Sequence, residues 1–329
     1  MSRCTSFWLL PLLLVLAAST APPPAPAQTQ PAPAPTNPVA IENTNAAFSP
    51  TDVTIPQANP ARPTITIPAH LPPTGYLQFE QGFNHAGSSP GGTPAQNAIS
   101  QTTKIALTTR LLVQFLTEPY AYSTLSGPHG GTTGSNDPGD LQVGFEAVIH
   151  KAVGAFPTAS LGYIRRVRAG TSANIDLGEY SQSALILLGG DLRGGFHYDS
   201  NILFNEQNNG PVRRPQFGQT LAISHLLFPV STKQRLGATV ELSHFTQPFI
   251  SATAAGVPIA RANTFDVLFV TTYALRPNLI LDASVSRGVT STSTAWQGDF
   301  GFSYILPHRL WPDKHPVPIP VGPIHYSGR

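Results

Sequence analysis

Between residues 74 and 306 the chain repeatedly alternates apolar and polar side chains with a period of two, and this pattern constrains its fold more than any other feature. In residues 236–242, Leu236, Ala238, Val240 and Leu242 alternate with Gly237, Thr239 and Glu241. In 279–286, Leu279, Leu281, Ala283 and Val285 alternate with Ile280, Asp282, Ser284 and Ser286. The same pattern runs through 141–149, 196–204 and 296–306. A strand sends successive side chains to opposite faces, so each segment has one apolar face and one largely polar face.

About twelve such strands are expected, near 76–84, 103–110, 111–122, 140–150, 158–168, 180–190, 194–205, 217–227, 234–247, 262–275, 278–287 and 295–306. Most approach the roughly 9–11 residues of one tilted membrane crossing. After the leader, no segment reaches the roughly 18 uninterrupted apolar residues of a spanning helix. A membrane location then requires a closed antiparallel barrel, because only closure satisfies every strand hydrogen bond in lipid. The expected fold is all-β, a single transmembrane β-barrel.

Composition agrees. Charged residues are 11% of the chain, less than half the usual share of about 25%, as suits a wall that faces lipid. A net charge of +2 provides no field for nucleic acid. Cys4 is the single cysteine and lies in the leader, so the mature chain is expected to hold no disulfide and no thiolate metal site. Tyr76, Tyr163, Tyr273, Trp296 and Tyr304 lie near strand ends, where an aromatic girdle is expected.

Both flanks differ in character. Residues 1–27 read as a cleavable signal peptide, with Arg3, an apolar run over 7–18 and an Ala25-Pro26-Ala27 cleavage site. Residues 22–73 hold 15 of the 34 prolines. Proline blocks helix and central strand, so 28–73 is expected to be a disordered, extended periplasmic arm; a plug or a cell-wall strap is the alternative. Residues 307–329 form a second proline-rich tail, whose His308, His315 and His325 are too irregularly spaced to indicate a metal site.

The stretch Gly139, Asp140, Leu141, Gln142, Val143, Gly144, Phe145, followed by Phe156, Pro157, Thr158, Ala159, Ser160, Leu161, Gly162, Tyr163, resembles the outer-membrane phenol degradation meta-pathway transporter-like family. The hairpin Leu275, Arg276, Pro277, Asn278, Leu279 has a counterpart there. The resemblance implies a barrel over 74–306 that helps small hydrophobic or aromatic compounds cross the outer membrane. The length of the proline arm and the proline-rich tail after Tyr304 depart from the family pattern.

Catalytic signatures are weak. The string Gly87-Ser88-Ser89-Pro90-Gly91 lacks the strand and helix that a nucleophile elbow needs. Ser243 and His244 are adjacent on a strand, so they point to opposite faces. No enzyme, cofactor or metal is expected. By parity Glu146, Asp199, Glu241, Asp266, Asp282 and Asp299 project inward, with Lys104, Arg110 and Arg165 as candidate bases. These are the candidate lumen-lining residues, and unpaired charge among them would be costly.

The reading that follows is a passive channel or transporter for a small-molecule solute in the bacterial outer membrane. Its expected partners are outer-membrane lipid, the barrel-assembly machinery and, through the arm, the cell wall. The alternatives are a structural or adhesion barrel with a filled lumen, a lipid-modifying barrel enzyme, and a soluble secreted β-sandwich.

Overall fold

The computed structural model describes residues 56–87, 95–126, 132–153, 156–168, 180–209, 212–227, 235–246, 263–291 and 293–311. They fall within one compact unit, 44–329. The leader, the arm up to residue 55, the serine loop at 88–91 and the histidines at 315 and 325 lie outside the described residues.

Among the described residues thirteen strands form one antiparallel sheet. They are β1 (Leu77–Ala86), β2 (Ala95–Ala106), β3 (Leu111–Ser126), β4 (Thr132–Asp137), β5 (Leu141–His150), β6 (Thr158–Arg168), β7 (Tyr180–Asp191), β8 (Phe196–Asn209), β9 (Val212–Leu226), β10 (Arg235–Phe245), β11 (Thr264–Arg276), β12 (Leu279–Gly288) and β13 (Trp296–Ile305). β1 pairs with both β2 and β13, and β2 also pairs with β3. The sheet therefore closes into a barrel of twelve strands, with β4 as an extra strand on the far end of β3. The described residues do not form a two-sheet sandwich: their strands close into one continuous wall.

The wall is apolar outside and largely polar inside. Phe115, Phe145, Phe204, Phe269 and Phe300 are large exposed side chains on outward positions. Cross-strand aromatic pairs lock the register there: Phe83 with Phe300 at 5.5 Å, Phe145 with Tyr163 at 5.6 Å and Phe204 with Phe217 at 5.5 Å between ring centroids. Each such pair contributes about 0.5–1.5 kcal/mol beyond its buried area. Glu80, Glu146, Asp199, Glu241, Asp282 and Ser303 are buried on inward positions. A polar interior behind an apolar band is the pattern of a membrane barrel.

Of the expected girdle, Tyr273 and Tyr304 stand outward at the end of the barrel that carries the short turns at 107–110, 192–195 and 277–278. Trp296 is exposed at the opposite end, 4.6 Å beneath the Arg287 guanidinium. Tyr163 stands outward higher on β6. Tyr76 is a correction. It is buried with Ala58, Ala274, Ile280 and Ile305 in an apolar cluster at the short-turn rim, because it shares the even parity of the inward Gln78 and Glu80 of β1.

The arm expected over 28–73 follows a different course where it is described. Residues 56–73 carry no strand or helix, as their prolines require, yet they run inside the barrel. The Ala58 N–H donates to the Pro277 carbonyl at 3.0 Å at the rim, and the Gly75 N–H donates to the Ala106 carbonyl at 2.8 Å on leaving. Gly75 has a positive φ of 83°. The start of the tail clasps this exit: Leu310 N–H donates to the Gly75 carbonyl at 2.8 Å, and Arg309 Nε to the Thr74 carbonyl at 3.0 Å.

Candidate functional site

The internal segment and the inward wall form the site. Between 59 and 70 the segment makes a loop whose ends meet, since Asn59 Nδ2 donates to the His70 carbonyl at 2.5 Å. It rises along β1, crosses the lumen near residue 65 and descends along β8. Its backbone donors cannot join a ladder from that position, and buried N–H groups must find acceptors. The wall's carboxylates supply them.

On the rising side Asn59 N–H donates to Gln78 Oε1 at 2.8 Å, and Ala61 N–H lies 3.3 Å from both oxygens of Glu80. Lys104 Nζ pairs with Glu80 Oε1 at 2.6 Å, and Gln78 Nε2 donates to the same atom at 2.7 Å. Arg62 donates to the Ser100 hydroxyl and lies 4.0 Å from Asp282 Oδ1. Its guanidinium rests over Gly82, which is paired in register with Gly301. The two glycines leave a flat patch of wall, and a side chain at 82 would occupy the place of Arg62.

At the crossing, Ile65 N–H donates to Glu241 Oε1 at 3.1 Å and Thr66 N–H to Glu241 Oε2 at 3.0 Å. Glu241 is fully buried, and both oxygens are taken by consecutive amides. The Thr66 and Thr220 hydroxyls meet at 2.8 Å. On the descending side the Asn201 amide, set to satisfy both groups, donates to the Ile67 carbonyl at 3.0 Å and accepts the Ile67 N–H at 2.6 Å. Ala69 N–H donates to Asp199 Oδ1 at 3.4 Å, and Ser160 Oγ donates to the Ala69 carbonyl at 2.8 Å.

The lumen has two characters. Ile67 and Ala69 pack against Leu185, Leu187, Leu203 and Phe245, with Ile164 beside them. Opposite lie Glu80, Lys104, Arg62 and Asp282. Glu146 and Lys104 line a small cleft beneath the segment with Asn59, Ile67, His70 and Gln114.

The candidate lumen-lining residues separate into groups. Glu146, Asp199, Glu241 and Asp282 are buried inward, and Lys104 joins them. Asp299 and Asp266 share the inward parity but stand nearer the long-loop end. Asp299 accepts from the Ser284 hydroxyl at 3.1 Å, and Asp266 is in register with Gly288. Arg165 is a correction: it is exposed on the outer face of β6, because parity counted from buried Thr158 and Ser160 turns odd positions outward. Arg166 takes the inward place, 3.4 Å from Asp140. Arg110 is exposed in the turn after β2 and donates to the Ile149 carbonyl at 3.2 Å. Ser243 is buried inward, and His244 faces away from it.

Sequence reasoning missed Glu80, Arg62, His70 and His197. Glu80 was readable, since it alternates with Phe79 and Phe83 in β1. Arg62 and His70 carry no periodic signal.

No family model and no curated protein sequence matches the chain. Among solved structures, an outer membrane channel from Pseudomonas putida F1 is similar at a TM-score of 0.57 and 13% identity, covering 76% of this chain and all of that one. The NanC porin and the CymD monoaromatic hydrocarbon channel are more distant, at TM-scores of 0.41 and 0.40 with 9% and 8% identity over 69% and 72% of this chain and 97% and 90% of theirs. The first likeness shows the fold alone, a closed antiparallel β-barrel. It agrees with the transporter-like barrel family that the hairpin motifs resemble.

Proposed function

We propose that this chain resides in a bacterial outer membrane, contacts lipid through its apolar wall, and passes small solutes by a route that residues 56–73 obstruct. The observation that carries this reading is how the segment is held. From 59 to 70 it is fixed largely by wall side chains such as Glu80, Glu241, Asn201 and Asp199, not by ladder pairing. It can leave without opening the sheet. The resemblance of 139–163 to the phenol degradation meta-pathway family favours hydrophobic or aromatic solutes, and the apolar patch of Leu185, Leu203 and Phe245 offers them a surface. Location in that membrane implies insertion by the barrel-assembly machinery after export by the 1–27 signal peptide.

Liposome swelling with the full chain and with a chain lacking 56–73 tests the proposal. Flux is expected to be slow with the segment and faster without it. Absence of flux from both at any solute size sinks the channel reading. It would favour the second reading, a structural or adhesion barrel with a filled lumen, which the same internal segment supports.

A further inference from the structure

We propose that His70, His197 and Asp199 form a binding site for a divalent transition-metal ion with the ligand preferences of zinc, and that the ion staples the internal segment to the wall. The three residues come from two distant parts of the chain, His70 from the descending limb of the segment and the other two from β8. One ligand atom from each lies within 4.8 Å of the others. Imidazole nitrogens and a carboxylate oxygen suit zinc, which commonly takes three protein ligands and leaves a fourth position to water. Ligands about 2 Å from zinc stand about 3.3 Å apart in a tetrahedron. A closure of about 1.5 Å or less, within reach of a loop residue, completes the site.

The surroundings are arranged as for ligation. His197 is 1% exposed, and its Nδ1 meets Asp191 Oδ1 at 2.8 Å. A carboxylate on one ring nitrogen orients the other toward a metal. That other nitrogen, Nε2, faces Asp199 Oδ2 at 3.3 Å. His70 has its Nε2 on the Thr158 hydroxyl at 2.8 Å, and its ring centroid is 5.8 Å from that of His197. Gly189 lies where the Asp199 carboxylate and His70 Nδ1 converge, and a Cβ there would stand 2.5 Å from Asp199 Oδ1 and 3.5 Å from His70 Nδ1. The missing side chain leaves the corner open. The rival arrangement is a protonated His197 bridging Asp191 and Asp199, with no ion.

The site stands apart from the channel reading, because metal uptake is read without solute flux. The full chain in detergent, stripped with a chelator, is titrated with Co²⁺ and followed by its visible d–d absorption. One ion per chain, displaced by Zn²⁺, is expected. His70→Gln and His197→Gln each abolish the band while the barrel keeps its heat-modifiable mobility on gels, and Asp191→Asn weakens binding about 10- to 100-fold. Replacement of His308, His315 and His325 by Gln leaves it unchanged. Zn²⁺ also slows hydrogen exchange at the Ala69 amide. No band in the parent chain, a band unaffected by His70→Gln, or a band lost only with the tail histidines overturns the proposal.

Discussion

Glu241 on β10 accepts the backbone N–H of Thr66 at 3.0 Å, across 175 residues of sequence, while its other oxygen accepts that of Ile65 at 3.1 Å. One wall carboxylate thus fixes the crest of the internal loop. Hydrogen bonds to a charged group contribute about 1.5–3 kcal/mol. Glu241→Gln keeps the shape but sets an NH2 donor against one of the two amide donors and leaves a neutral oxygen for the other. Exchange at the Ile65 and Thr66 amides is expected to rise roughly 10- to 100-fold, with strand amides of β10 unchanged. Equal exchange in both proteins would show that the carboxylate does not hold the crest.

Arg62 and Asp282 are a second attachment. They stand 4.0 Å apart, and neither Asp282 oxygen has a hydrogen-bond partner among the described residues. Breaking a buried pair costs about 3–5 kcal/mol, whereas replacing both partners by apolar groups is often neutral. Arg62→Met is therefore expected to lower the unfolding midpoint in detergent, and Arg62→Met with Asp282→Leu to restore it. A double variant no more stable than the single one would show that the two charges do not depend on each other. Gly82→Val should free the segment by a separate route, by taking the space of the Arg62 guanidinium.

These attachments also show what was legible in the sequence. The barrel strands β5 to β13 were readable because the outer wall carries an apolar residue at nearly every second place. The first half of β2 was not: Gln96, Asn97, Ser100 and Gln101 are polar on both faces, at the long-loop end where the wall makes no such demand. β4, with Thr132, Thr133, Gly134, Ser135, Asn136 and Asp137, has turn composition and exists through its pairing with β3. The site was half legible. Parity found Glu146, Asp199, Glu241 and Asp282, but its phase has to be set strand by strand, and in β6 the buried Thr158 and Ser160 put Arg166 inward and Arg165 outward. Proline content in 56–73 says which structures the segment cannot form. It does not say that the inward carboxylates, outnumbering their bases, would find partners in its amides.

The same excess of acids predicts selectivity. Without 56–73, the lumen holds Glu80, Glu146, Asp199, Glu241 and Asp282 against Lys104, beside the mutually paired Arg166 and Asp140. Rings of acidic side chains favour cations. Planar-bilayer recordings of the shortened chain are expected to give a reversal potential of the cation-selective sign. The preference should fade as salt rises, since the Debye length falls from about 10 Å at 0.1 M to about 3 Å at 1 M. Glu241→Gln with Asp282→Asn should reduce it further. Anion preference, or none at low salt, would mean that these residues do not line the path.

The membrane location rests on the outer wall and can be tested there. Phe269 is 54% exposed midway along β11, between Val240 and Val285 on the neighbouring strands. Leu275 is 53% exposed near the short-turn end of the same strand. Both are large, apolar and outward, so in water an arginine at either place would cost about the same. In a bilayer the two differ: arginine costs about 2–4 kcal/mol at the midplane and about 0–1 kcal/mol near the interface. Unfolding from lipid vesicles is expected to show Phe269→Arg destabilised by about 2 kcal/mol or more relative to Leu275→Arg. Equal costs would place the band of apolar side chains against something other than lipid, and the channel reading would lose the membrane it requires.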